Sequence, residues 1–285
     1  GAWTEVTVTS QSFSSHQRLL LRSAAHSTTG GLWYIADLRM NLSAFDTHVV
    51  TWYDQSVNGN DATQPTTGNQ PLIAENGSLL ADGINFESGV NLPLSGSGLD
   101  IFKDVGYGQI FSVIKPRETG TGFARYFEAT IGTGSGARFL FGDGQDVAAA
   151  FRIGGRSLDG DSFGDEESPT SHNNELSLIT GFLNYTDAEG FVFLNGTQVA
   201  TNSIPNITTG TTSDTSSQNV AIGSYNASLT AEFNAKEFII FNSDQSDNRF
   251  KIESNINNYY QLDGYKVHYE YDLTSGDGGF NVANG

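Results

Sequence analysis

Cysteine is absent from the 285 residues, which excludes disulfide bridges and thiolate metal sites. That absence fits a bacterial or phage protein, or one assembled in a reducing cytoplasm. Basic residues are scarce: 14 Lys and Arg stand against 32 Asp and Glu, a formal charge of −18. Such a surface repels phosphate backbones and anionic headgroups, so nucleic acid and membrane surfaces are disfavoured as partners. Carbohydrate meets no such penalty, and calcium is attracted. Solubility alone also accounts for an acidic surface. No apolar run approaches the ~18 residues that a membrane-spanning helix needs. The opening Gly1-Ala2-Trp3-Thr4-Glu5 lacks the basic and apolar regions of a signal peptide, and reads as the start of a trimmed fragment.

What is present points one way. Charged residues make up only 16% of the chain, while Gly (33), Phe (19) and Tyr (11) are abundant. Aromatic residues suit pleated, half-buried surfaces, and glycine with Ser, Thr and Asn suits the turns between strands. The length is enough for one all-β sandwich with a substantial core.

From Gly108 onward, strand patterns recur about every dozen residues with Gly-rich separators. They cover Gln109–Lys115, Phe123–Ile131, Ala137–Phe141 and Val147–Ile153. Residues 154–174 carry Asp159, Asp161, Asp165, Glu166 and Glu167 without alternation, and read as a long surface loop. Residues 175–185 and 190–199 predict a hairpin pair, with Asn195-Gly196 as a type I′ turn. Residues 219–224 and 231–242 predict two more strands. Ser243-Asp244 then caps a helix over 245–260, whose buried stripe is expected to be Phe250, Ile252, Ile256, Tyr259 and Tyr260. Towards the N-terminus, residues 3–13 read as a strand and 16–26 as either a short helix or an apolar strand.

The segment Trp52-Tyr53-Asp54-Gln55-Ser56-Val57-Asn58-Gly59-Asn60-Asp61 carries the most local information. An aromatic strand end runs into residues whose side chains bond backbone amides or tolerate left-handed conformations, so the segment predicts a rigid corner. Together with Phe191–Val199, Ile222-Gly223 and the strand Glu237-Phe238-Ile239-Ile240-Phe241-Asn242 running into a capped helix, it resembles the laminin-G-like, concanavalin A-like domains. These occur in phage tail and fibre proteins, in bacterial surface proteins and in some arabinofuranosidase-type glycosidases. The resemblance covers roughly residues 49–262. It implies an all-β, concanavalin A-like jelly-roll sandwich with one C-terminal helix, flanked by an N-terminal extension (1–48) and a C-terminal strand and linker (263–285).

Candidate chemistry is sparse. Glycosidases need two carboxyls facing each other across a cleft. No alternating acidic run supplies such a pair: Glu128 stands alone, and Glu232 and Glu237 flank an apolar segment. No catalytic residue is therefore assigned. His16, His26, His48, His172 and His268 lack ligand spacing, and Gly132–Gly136 reads as a flexible hairpin rather than a phosphate loop. Asp159, Asp161 and Asp165, alternating around glycine, form a candidate calcium site, with a plain solvated acidic loop as the alternative. Strict alternation puts Tyr126, Glu128, Arg138 and Arg152 on one exposed face, where a ring and charged donors would suit a glycan; an Arg/Glu ladder bracing the sheet is the alternative. Trp33, Trp52 and Tyr53 read as core or corner packing.

The resulting expectation is a non-catalytic carbohydrate-recognition or adhesion module of a larger extracellular or virion protein. Its partner would be a cell-surface glycan, and self-association within a larger assembly is left open. The competing readings are an arabinofuranosidase-type glycoside hydrolase and a purely structural virion or surface-layer domain.

Overall fold

Phe, Val and Ile alternating with small polar residues close two antiparallel sheets face to face. A computed structural model describes residues 45–117, 124–131, 137–144, 149–204, 206–224 and 231–265. The expectations for 3–13, 16–26, Trp33, Gly132–Gly136 and the strand after Tyr265 lie outside the described residues.

In chain order the strands are β1 (Thr47–His48), β2 (Thr51–Trp52), β3 (Ala62–Thr63), β4 (Leu72–Glu75), β5 (Ser78–Leu79), β6 (Ile84–Phe86), β7 (Leu92–Pro93) and β8 (Tyr107–Pro116). They continue with β9 (Arg125–Thr130), β10 (Ala137–Asp143), β11 (Phe151–Gly155), β12 (Gly164–Glu167), β13 (Ser177–Asn184), β14 (Glu189–Leu194), β15 (Thr197–Ser203), β16 (Asn219–Ile222) and β17 (Phe233–Phe241). Helix α1 (Arg249–Tyr260) follows. The larger sheet runs β1-β4-β6-β17-β8-β13-β14-β15, with β5 beside β4, and the smaller runs β12-β11-β10-β9-β16-β7. Strands β2 and β3 form a separate ribbon. Non-sequential neighbours in antiparallel sheets, with one C-terminal helix, make this the expected jelly-roll sandwich.

The core lies between the sheets. Phe127, Ala129, Phe139, Phe141, Phe151 and Ile153 of the smaller sheet meet Ile110, Ile114, Ile179, Leu183 and Phe233 of the larger one. Phe86 stacks on Phe233 and Phe102 on Phe139, each with ring centroids 4.5 Å apart. Each fully buried ring contributes about 1.5–3 kcal/mol relative to exposure. The type I′ turn is present between β14 and β15, where Asn195 and Gly196 both take positive φ (46° and 80°).

Three expectations need correction. Residues 164–167 are not loop but β12, paired with β11, because the sheet edge beyond Arg152 supplies backbone partners to an otherwise charged segment. The stripe on α1 differs in part: Ile256 is buried and Ile252 and Tyr260 pack beside it as expected, but Arg249 and Glu253 are buried too and Tyr259 is 80% exposed. The helix covers the outer face of the larger sheet at Phe111, Val113 and Leu178. There the Glu253 carboxylate accepts from Arg249 Nη1 (2.9 and 2.8 Å) and from the Thr180 hydroxyl (2.8 Å). The Arg249 guanidinium lies 4.0 Å from the ring centroids of both Phe193 and Phe250. Asp244 is not the cap of α1, which starts at Arg249 after a 3₁₀ turn (Ser246–Asn248); its carboxylate accepts from Ser246 N at 2.9 Å ahead of that turn.

Candidate functional site

The face expected from strict alternation does not exist as an open surface. Between Ala137↔Thr130 and Phe139↔Ala129, β10 carries one extra residue, Arg138; between Phe141↔Phe127 and Gly142↔Arg125, β9 carries one extra residue, Tyr126. Each is a β-bulge, which inserts an unpaired residue and resets which side chains share a face. Tyr126 consequently points into the core, 5.1 Å from Phe233 and 5.5 Å from Phe141. Arg138 is buried at the sheet end, donating from Nη1 to Ser157 O (2.6 Å) and from Nη2 to Asp159 (2.6 Å).

Glu128 and Arg152 do lie on the outer face of the smaller sheet, but both are buried. Glu128 pairs with Arg125 and accepts from the Ser224 hydroxyl (3.2 Å). Arg152 sits 3.7 Å from Asp165 and opposite Glu167. Burial lowers the Arg152 pKa from its ordinary value, and Asp165 and Glu167 oppose that fall. A buried charge is tolerated only when paired, and this group is an ion-pair network. Of these pairs Arg152–Asp165 joins two strands, whereas Glu128 pairs within its own strand, so the ion pairs brace the sheet without forming the expected Arg/Glu ladder.

The acidic segment is equally committed. The Asp161 carboxylate accepts from Leu158 N (3.0 Å), Thr208 N (3.0 Å), Thr208 Oγ1 (2.7 Å) and Ser157 Oγ (2.8 Å). Desolvation pushes its pKa up, but these donors outweigh it and bring the group down to about 2. Asp159 accepts from Arg138 and from the Thr215 hydroxyl (2.8 Å). Asp165 belongs to β12 and faces Arg152. The three carboxylates named as calcium ligands are thus separately bonded to protein donors, and no metal-holding cluster of three or more His, Cys, Asp or Glu occurs among the described residues. Asp159 and Asp161 pin residues 157–161 to the 208–215 segment.

The corner is as rigid as its sequence implies. Asp54 accepts from Ser56 N (2.7 Å), Ser56 Oγ (2.8 Å) and Asn60 N (2.8 Å), while Asp54 N donates to Asp61 (2.9 Å). The Ser97 hydroxyl donates to Asn60 Oδ1 (2.9 Å), tying the corner to the chain after β7. Bonds from Asn60 N and Ser56 outweigh desolvation and lower the Asp54 pKa.

This corner holds up one wall of an open groove of about 600 Å³ lined by His48, Val49, Val50, Thr51, Trp52, Tyr53, Gln55, Ile73 and Ile84. Trp52 turns inward, edge-on to Phe238 at 6.1 Å. Tyr53 turns out and is 64% exposed, contrary to the packing role expected of it. Trp52, the last residue of β2, turns inward and is partly buried, and Tyr53 just beyond it faces the other way, into solvent. That parity is the signal in the sequence that could have found it. His48 and Gln55, also exposed, had no local signal. A second groove of about 410 Å³ includes Glu166 and Glu167, neighbours on β12 rather than carboxyls opposed across a cleft.

No family model matches the chain, and no curated protein matches it by sequence. Structures with a similar fold include a Trypanosoma rangeli sialidase in complex with the inhibitor DANA (14% identity, TM-score 0.47, covering 70% of this chain and 30% of that one). A native heptameric SAP-like pentraxin from Limulus polyphemus is another (15% identity, TM-score 0.36, covering 49% and 65%). The CBM40 module of the Ruminococcus gnavus IT-sialidase, bound to α2,6 sialyllactose, is a third (15% identity, TM-score 0.39, covering 51% and 82%). This chain spans 30% of the length of the T. rangeli enzyme. At these TM-scores the likeness is one of fold and says nothing about a ligand.

Proposed function

We propose that the chain is a non-catalytic carbohydrate-recognition module of a larger extracellular or virion protein, and that the groove beside the Asp54 corner receives the sugar. The observation that carries this reading is Tyr53: a solvent-facing ring fixed by a hydrogen-bonded corner, beside a second aromatic residue in a concave site. Ligand sites are mostly apolar with a few placed polar groups, and the lining has that composition. Among the described residues no carboxylate lines the groove, whereas glycoside hydrolysis uses a pair.

Covering roughly 100 Å² of aromatic surface contributes about 2–3 kcal/mol, and a few hydrogen bonds add about 1 kcal/mol each. A single site should then bind with a dissociation constant on the order of 1 mM. Recognition at that strength gains from several copies presented together. A glycan array followed by calorimetric titration tests the reading. Binding of at least one polysaccharide is expected; no binding to any, with or without calcium, would end it.

A further inference from the structure

The Tyr53 groove carries a selectivity that its surroundings define. We infer that it takes neutral pyranose or furanose rings and rejects sugars bearing a carboxylate. This rests on the glycan-recognition reading above and narrows it to a ligand class.

Among the described residues the lining contains neither Lys nor Arg, and neither Asp nor Glu, in a protein of net charge −18. An anionic sugar needs charge-assisted donors, best from a guanidinium, to replace the water it loses. The groove offers none: its polar side chains are those of His48, Thr51, Tyr53 and Gln55. Behind the corner, Asp54 adds negative potential next to Tyr53 and is held ionised by Ser56 and Asn60. The whole-molecule field also works against an approaching anion.

The polar groups present suit hydroxyls instead. Gln55 Nε2 gives one N–H to Tyr53 O at 3.0 Å, which leaves its second N–H and its acceptor Oε1 to face a ligand. The His48 imidazole and the Tyr53 hydroxyl can each donate or accept. Hydroxyl groups, being both donors and acceptors, match such a set without regard to charge. The exposed Tyr53 face meets the C–H surface of a sugar ring, which is apolar and carries no formal charge.

The test uses the full chain and its Tyr53→Ala and Tyr53→Phe variants, all at one pH near neutrality. Probes are neutral gluco-, manno-, galacto- and arabino-oligosaccharides, set against sialyllactose and oligogalacturonate. Neutral probes alone should bind, with little dependence on salt. Tyr53→Ala should weaken binding by about tenfold or more, whereas Tyr53→Phe, which keeps the ring, should stay within about threefold. Because Tyr53 is largely exposed, all three proteins should share one thermal midpoint. Preferential binding of sialyllactose or oligogalacturonate that Tyr53→Ala abolishes would overturn the selectivity while leaving the groove as a glycan site. Binding that Tyr53→Ala does not change would overturn the groove itself. Silence from every probe would refute the underlying reading and this inference with it.

Discussion

Asp54 lines no part of the groove, yet its replacement should weaken ligand binding. Its carboxylate holds Ser56 N, Ser56 Oγ and Asn60 N at 2.7–2.8 Å, and those bonds fix the turn from which Tyr53 projects. Fully buried, each bond to a charged acceptor would contribute about 1.5–3 kcal/mol. The corner is only half-buried, so water replaces much of what is lost, and the total should be about 1–2 kcal/mol. For a domain of this size that corresponds to a fall in thermal midpoint of roughly 3–6 °C. Asn is the informative replacement, since it keeps one acceptor oxygen and turns the other into a donor facing backbone N–H groups. Asp54→Asn should therefore lose most of what Asp54→Ala loses. Freeing Tyr53 adds an ordering cost of about 0.5–1.5 kcal/mol on binding, a loss of roughly 3- to 10-fold in affinity. The pH dependence has a definite sign. The folded pKa lies below the ordinary 3.8, so the stabilisation is complete above that value and fades as pH falls through the lower folded one. The wild type and Asp54→Asn should converge in acid. Melting curves and titrations that coincide near neutrality would refute the assignment of rigidity to this carboxylate.

Asp161 should dominate a different acid transition. Its folded value of about 2 against 3.8 means that it stabilises the protein above pH ~4 and loses that effect between pH ~4 and ~2. Discounted for its solvent exposure, the contribution is about 1 kcal/mol. Asp161→Asn should be less stable near neutrality and show a flatter acid limb; an acid-unfolding curve parallel to the wild type's would contradict this. The Arg249–Glu253 pair under α1 should behave as a unit: Glu253→Ala or Arg249→Ala alone should cost about 3–5 kcal/mol, because each leaves a buried charge behind. The double variant in urea melts should cost much less than the sum, and additive losses would show that the pair does not couple.

The fold was legible because its signals are periodic and local. The patterns over 109–115 and 175–185 locate β8 and β13, neighbours in the larger sheet, and Asn195-Gly196 fixes the hairpin that follows. Strand β12 was not legible: Gly164-Asp165-Glu166-Glu167 has no β propensity of its own, and pairing with β11 imposes its extended form. Helix α1 was placed by its spacing, and Ile252, Ile256 and Tyr260 of the expected stripe do pack on the sheet, but Tyr259 does not and the buried ion pair was missed. The sheet surface it covers accepts a hydrogen-bonded Arg249–Glu253 pair beside the expected apolar stripe.

The site failed to read from the sequence for a reason that parity itself supplies. A one-residue slip in a strand moves every following side chain to the other face, so a single bulge cancels any face assignment carried across it. Here two bulges fall on two of the four residues assigned to a shared face, Tyr126 and Arg138. Both leave a trace in the chain. A Cβ at Gly142 would come within 2.3 Å of Ala124 O, and one at Gly155 within 2.0 Å of Arg138 O, so the strand beside each bulge requires glycine. An isolated glycine inside a strand pattern marks such a bulge or a close backbone approach. Gly142, Gly154 and Gly155 were visible as glycines, but nothing local distinguished them from the separators between strands. The Tyr53 groove needed no bulge to be found, only the inward turn of Trp52 against Phe238. That contact joins residues 186 positions apart, and it puts the neighbouring ring into solvent.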